Sequence, residues 1–107
     1  MQRGDVWWVN FDTSIGGKIQ KKRPAVIISN NSSNKYLNRV QVIPLTSNID
    51  QVYPSEAKIV LNGQENKAMA DQLTTVSKKR LFQIDGIISE TDMQKIEEAI
   101  KTQLGIS

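Results

Sequence analysis

The chain has 107 residues, 38% of them hydrophobic, and carries a net charge of +3, which suits one compact domain and leaves no room for a second core. Cysteine and histidine are both absent, excluding disulfides, thiolate metal sites, histidine-based nucleases and Ser-His-Asp hydrolases. No apolar run is long enough to cross a bilayer, and Met1-Gln2-Arg3-Gly4-Asp5 lacks the pattern of a secretory signal, so a cytoplasmic protein is expected.

Asp5 to Phe11 is rich in β-branched and aromatic residues and reads as a first strand. Asp12 to Lys22, with Gly16-Gly17 at its centre, reads as a loop. Pro24 to Ser29 is the second strand, and its unbroken apolar run predicts burial on both faces. Asn30 to Asn34 is a polar turn that opens into a short helix through Leu37. Arg39 to Ile43 alternates polar and apolar residues as a half-exposed strand does, ending at Pro44, where a backbone donor is lost. Ala57 to Leu61 is a further strand that turns at Asn62-Gly63, and Ala68 to Ala70 a short one, followed by a turn of helix between Asp71 and Val76. The clearest helix is C-terminal. Ser89 with Asp92 three residues on forms a relaxed capping box. Met93, Ile96, Ala99, Ile100 and Leu104 define a core face, Glu97 is in register with Lys101, and Gly105 is a stop. Several short strands and one terminal helix describe a small, partly open β-barrel.

Charge is uneven along the chain. Residues 1–40 carry seven Lys/Arg against two acidic residues, and residues 41–107 carry seven against nine. A polyanion partner and ordinary solvation explain this asymmetry equally well. Within the basic half, Lys21-Lys22-Arg23 runs directly into Pro24. The proline holds the arginine extended, and a planar, always-charged guanidinium suits bidentate contact with phosphate. The competing reading is a surface charge flanking a strand. Trp7 and Trp8 point to opposite faces, so one is expected to pack inward and the other to serve a dimer contact. Lys78-Lys79-Arg80 reads as a solvated patch, and Gln72 either reads a base edge or holds a turn.

Four segments taken together resemble the MazF/PemK family of bacterial toxin endoribonucleases, the toxic half of type II toxin–antitoxin modules. These are Arg3-Gly4-Asp5-Val6-Trp7-Trp8-Val9, Arg23-Pro24-Ala25-Val26-Ile27-Ile28-Ser29, Pro44-Leu45-Thr46-Ser47 and Ala70-Asp71-Gln72. The resemblance implies an SH3-like β-barrel with a C-terminal amphipathic helix, a mainly β fold with helices, formed by the whole chain as a single domain and assembled as a homodimer. It implies sequence-specific cleavage of single-stranded RNA without metal or cofactor, and neutralisation by a cognate antitoxin. The family's catalytic arginine falls on Arg23 and its catalytic hydroxyl on Thr46. RNA contacts are expected from Phe11, Thr13, Gly16, Lys18, Lys21 and Lys22 in and around the first loop, and from Ser47 and Gln72. The chain departs from the family at Lys18, where a glutamate is frequent, and at Thr13, where some members have proline.

Metal-free cleavage needs the 2′-hydroxyl to attack the adjacent phosphate, giving a cyclic phosphate and a 5′-hydroxyl. Charge then gathers on the non-bridging oxygens, where preorganised donors contribute most. Arginine is a poor base, so Arg23 is expected to act as an electrostatic clamp and the base is left open. Two other readings compete. A CcdB-like gyrase poison shares the fold but depends on a C-terminal tryptophan, and the tail here is Leu104-Gly105-Ile106-Ser107. A non-catalytic RNA-binding barrel would need only the basic N-terminal half.

Overall fold

A computed structural model describes residues 1–11 and 21–107. Seven strands and two helices follow in the order β1 (Asp5–Asn10), β2 (Lys22–Ile27), α1 (Asn31–Tyr36), β3 (Arg39–Thr46), β4 (Glu56–Leu61), β5 (Gln64–Met69), β6 (Thr74–Ser77), β7 (Leu81–Ile87) and α2 (Glu90–Leu104). Single 3-10 turns at Ala70–Gln72 and Lys78–Arg80 flank β6. All strand pairs are antiparallel, in the order β4-β5-β3-β2-β1-β7, with β6 also on β3. The sheet curls into a half-barrel, matching the expected mainly β fold with a C-terminal helix.

β3 is the strand that allows the curl. Its first part, Arg39 to Val42, pairs with β6, and its last part, Leu45 and Thr46, pairs with β5. Pro44 lies in the gap between these ladders, so β3 runs through it instead of ending there as the sequence suggests. A residue without an N–H fits where no partner on that side needs one.

β2 is buried on both faces, as its apolar run predicts. Val26 joins a core of Val6, Ile43, Leu45, Ile59 and Leu61, closed by Met93, Ile96 and Ala99 of α2. Ala25 and Ile27 join a second cluster with Val9, Val40, Val42, Val76 and Leu81, against which Trp7 and Phe11 pack. The inward role expected for one of the two tryptophans thus falls to Trp7.

Helix α2 begins at Ser89, whose hydroxyl accepts the Asp92 N–H at 3.2 Å, and ends at Gly105 with φ +68°. The Asp92 carboxylate does not fold back as in a capping box. It crosses to β4 and accepts the Val60 N–H at 2.9 Å. Leu104, expected on the core face, is 57% exposed. The anticipated Glu97–Lys101 pair is replaced by Glu97–Arg3 at 3.8 Å and Lys101–Glu98 at 3.5 Å. Both are surface contacts of small energetic weight.

The two ends of the sheet meet at a rim. Asn62 (φ +51°) and Gly63 (φ +77°) form the two-residue turn between β4 and β5, the left-handed pair that a tight hairpin favours. From this turn the Asn62 amide donates to the Asp85 carbonyl of β7 at 2.9 Å. Gly86 makes the approach possible, because a Cβ there would lie 2.8 Å from Leu61 Cδ1 and 2.9 Å from Asn62 Oδ1.

Candidate active site

The β2–β3 register pairs Ala25 with Pro44, Val26 with Ile43 and Ile27 with Val42. The ladder ends at Ala25–Pro44, and Arg23 and Thr46 lie two residues beyond it on their strands, on the face that Ala25 and Pro44 share. Arg23 and Thr46 both line a cleft of about 600 Å³ that opens beside the rim. Lys21, Lys22 and Ser47 line it as well. Five of the residues expected to handle RNA are thereby brought together.

Positive charge dominates one wall, where Lys21, Lys22 and Arg23 are consecutive and exposed. Lys22 Nζ lies 5.6 Å from the Phe82 ring centroid, a cation–π distance that holds the ammonium on the β7 side. Arg23 has no ion pair or side-chain hydrogen bond among the described residues. Its donors are thus available to a ligand. Thr46 Oγ1 accepts the Asn48 N–H at 3.2 Å, which leaves the hydroxyl hydrogen for an incoming oxygen. Lys67, across from Thr46 on β5, is otherwise engaged: its Nζ meets Glu56 Oε1 at 3.0 Å and the Gln51 carbonyl at 2.6 Å.

Two further expected residues, Phe11 and Gln72, are placed outside the cleft's lining. Phe11 packs on the second core cluster, and Gln72 donates to Met69 Sδ at 3.5 Å. Thr13, Gly16 and Lys18 fall outside the described residues. In the Lys78-Lys79-Arg80 run, Arg80 Nη1 donates to the Asn10 carbonyl at 3.0 Å, a structural anchor for the end of β1.

Eight lining residues were not singled out as site residues in the sequence, and five of them carry polar or aromatic side chains: Trp8, Asn62, Gln64, Asn66 and Asp85. Trp8 was assigned to packing or a dimer contact, yet it lies opposite Pro24 and borders the cleft. The alternate spacing of Gln64 and Asn66 behind an Asn-Gly turn was the available signal. What the sequence does not show is that the hairpin folds over towards β7. Asp85 is the one carboxylate lining the cleft among the described residues. No group of three acidic side chains converges to hold a metal ion among those residues.

A family model described as "PemK-like, MazF-like toxin of type II toxin-antitoxin system" matches residues 2–104. The chain belongs to this family. As a PemK/MazF-type toxin it is 31% identical to endoribonuclease MazF9 of Mycobacterium tuberculosis, over 99% of this chain and 98% of that one. Solved structures share the fold. An endoribonuclease in complex with its cognate antitoxin, from a mycobacterial species, superposes with a TM-score of 0.84 at 24% identity, covering 100% of this chain and 97% of that chain. A MazE–MazF structure from Deinococcus radiodurans gives 0.85 at 22% identity, with the same coverage. No helix among the described residues is long and apolar enough to cross a membrane.

Proposed function

We propose that this toxin is a metal-independent endoribonuclease that cuts single-stranded RNA at short sequences and is neutralised by a cognate antitoxin in the cytoplasm. The observation that carries the reading is one basic cleft lined by both Arg23 and Thr46, in which Arg23 has no ion pair or side-chain hydrogen bond among the described residues. Endoribonuclease is the activity in the name of the curated relative, and one structural neighbour was captured with its antitoxin.

In the reaction, the 2′-hydroxyl oxygen bonds to phosphorus, the P–O5′ bond breaks, and O5′ takes up a proton. A 2′,3′-cyclic phosphate and a 5′-hydroxyl result. Arg23 holds two phosphate oxygens in its planar fork and stabilises the charge that builds on them. Thr46 adds one hydrogen bond through its free hydroxyl hydrogen. Lys21, Lys22 and Ser47 hold the flanking backbone, where cations supply most of the sequence-independent affinity. Asp85 is the carboxylate available to receive the 2′-hydroxyl proton.

The same basic cleft suits an acidic segment of the antitoxin, which would compete with RNA for it. The homodimer has a natural seam in edge strand β7, where Phe82, Ile84 and Ile87 are 52%, 50% and 71% exposed. Family membership stands against the gyrase-poison reading, and cleavage separates the enzyme from a non-catalytic binding barrel.

The test is incubation of the protein with a mixed-sequence RNA and a chelator. Discrete cuts ending in 5′-hydroxyls are expected. Arg23→Ala should lose about a hundredfold or more in rate, the scale of one transition-state donor, while retaining part of its RNA affinity. Cleavage that the chelator stops and a divalent cation restores would refute the metal-free mechanism. An Arg23→Ala variant with full activity would refute the site. Asp85→Asn should lower the cleavage rate while RNA affinity is kept, and an unchanged rate removes Asp85 as the proton acceptor.

A further inference from the structure

The wall of the cleft facing the basic strand is made of carboxamides. Asn62 sits in the turn, and Gln64 and Asn66 follow at alternate positions on β5, so the latter two present to one side of the strand. Their hydrogen bonding divides them by role. The Asn62 amide nitrogen is committed to the Asp85 carbonyl at 2.9 Å, and the Asn66 amide nitrogen to the Gln64 carbonyl at 3.3 Å. The Gln64 side chain has no partner among the described residues. Asn66 is nearly buried at 7% exposure, which fixes its position. Leu61 and Trp8 add apolar surface to the same cleft.

From this arrangement we infer that Gln64, flanked by Asn62 and Asn66, reads one base of the RNA and helps set the cleavage sequence. Phosphate contacts position a nucleic acid without carrying sequence information, whereas groups on base edges specify it. Single-stranded RNA exposes its base edges to such side chains. Gln64 offers both a donor and an acceptor, the pairing that carboxamides make with adenine N6 and N7. Asn62 and Asn66 line the same cleft, each with one amide hydrogen engaged within the protein and its side-chain oxygen without a donor among the described residues. Two acceptors beside a bifunctional carboxamide favour a base with an exocyclic amino group, namely adenine, cytosine or guanine, and disfavour uracil. The inference extends the RNA-cleaving reading by naming what the site recognises.

The experiment is a binding selection from a randomised pool of short single-stranded DNA, which has no 2′-hydroxyl and cannot be cut by the proposed route. Base preference is thereby measured without cleavage, and RNA cleavage is assayed separately, so failure of the catalytic reading and failure of this one are distinguishable. The parent protein should enrich an amino-bearing base at one position. Gln64→Ala, an exposed change that leaves the strand ladder intact, should lose about tenfold of that discrimination with preferences elsewhere unchanged. Gln64→Glu, which keeps the acceptors, should retain the amino-base preference at lower overall affinity. An unchanged preference profile in Gln64→Ala, a uniform weakening at all positions, or a parent with no base preference would overturn the inference.

Discussion

Asp92→Ala should strongly destabilise the helix–sheet junction. The carboxylate is buried, accepts the Val60 N–H at 2.9 Å, lies in the first turn of α2 and meets Lys95 at 3.5 Å. Loss of a charge-assisted hydrogen bond that leaves a backbone donor unpaired costs about 2 kcal/mol. Loss of negative charge at the helix N-terminus adds about 0.5 kcal/mol, and the exposed lysine partner adds at most a few tenths. The sum is about 3 kcal/mol. At about 4–8 °C per kcal/mol for a domain near this size, Tm should fall by roughly 12–24 °C. Urea unfolding monitored by tryptophan fluorescence measures the free energy, with the m-value checked for constancy. Asp92→Asn, which keeps an acceptor for Val60, should recover at least half of the loss. An Asp92→Ala variant within 0.5 kcal/mol of the parent, against the roughly 3 kcal/mol expected, would show that water satisfies the Val60 N–H and that the carboxylate is not what fastens the helix.

Three further outcomes can be checked directly. Gly86→Val should displace the Leu61–Asn62 corner, since even a Cβ lies within 2.9 Å of both side chains; overpacking of this kind costs about 1–3 kcal/mol, and thermal denaturation reads it. Lys67→Met should strand Glu56, whose side chain is 9% exposed, at a cost of about 3 kcal/mol, and should make residues 51–56 the first site of limited proteolysis. Thr46→Val should lower RNA cleavage about tenfold, the weight of one hydrogen bond, whereas Thr46→Ser should keep most of the activity; equal rates for the two variants would show the hydroxyl to be idle.

Much of the basic wall was legible because it depends on local chemistry. Arg23-Pro24 is a strand entry on any physical reading, and the apolar run behind it forces burial on both faces. That Arg23 and Thr46 would line one cleft was expected only through the family resemblance, since register is a long-range property. Strand β7 went unrecognised because its apolar side chains Phe82 and Ile84 face solvent on an edge, the reverse of the usual core-facing pattern. Strand β6 was read as helix because Asp71-Gln72 do turn, but the turn stops at Gln72 and the chain pairs with β3. Asp92 shows the same limit in a single side chain. Its spacing from Ser89 suggests a local cap, and only the fold reveals that a neighbouring strand edge competes for the carboxylate and wins.

The β4–β5 hairpin is a continuous ladder, paired from Glu56–Met69 to Leu61–Gln64 and closed by its own two-residue turn, and it joins β3 at its base, through Lys67 and Ala68. Arg23 and Thr46 sit on β2 and β3, in other stretches of the gene. Substitutions at the tip of the hairpin, at Asn62 and Gln64, lie away from that junction and leave the backbone pairing of β2 with β3 untouched. If the hairpin tip reads RNA as inferred above, recognition and cleavage rest on separate parts of the chain, and a few codon changes at Asn62 and Gln64 would alter the recognised sequence while sparing Arg23 and Thr46.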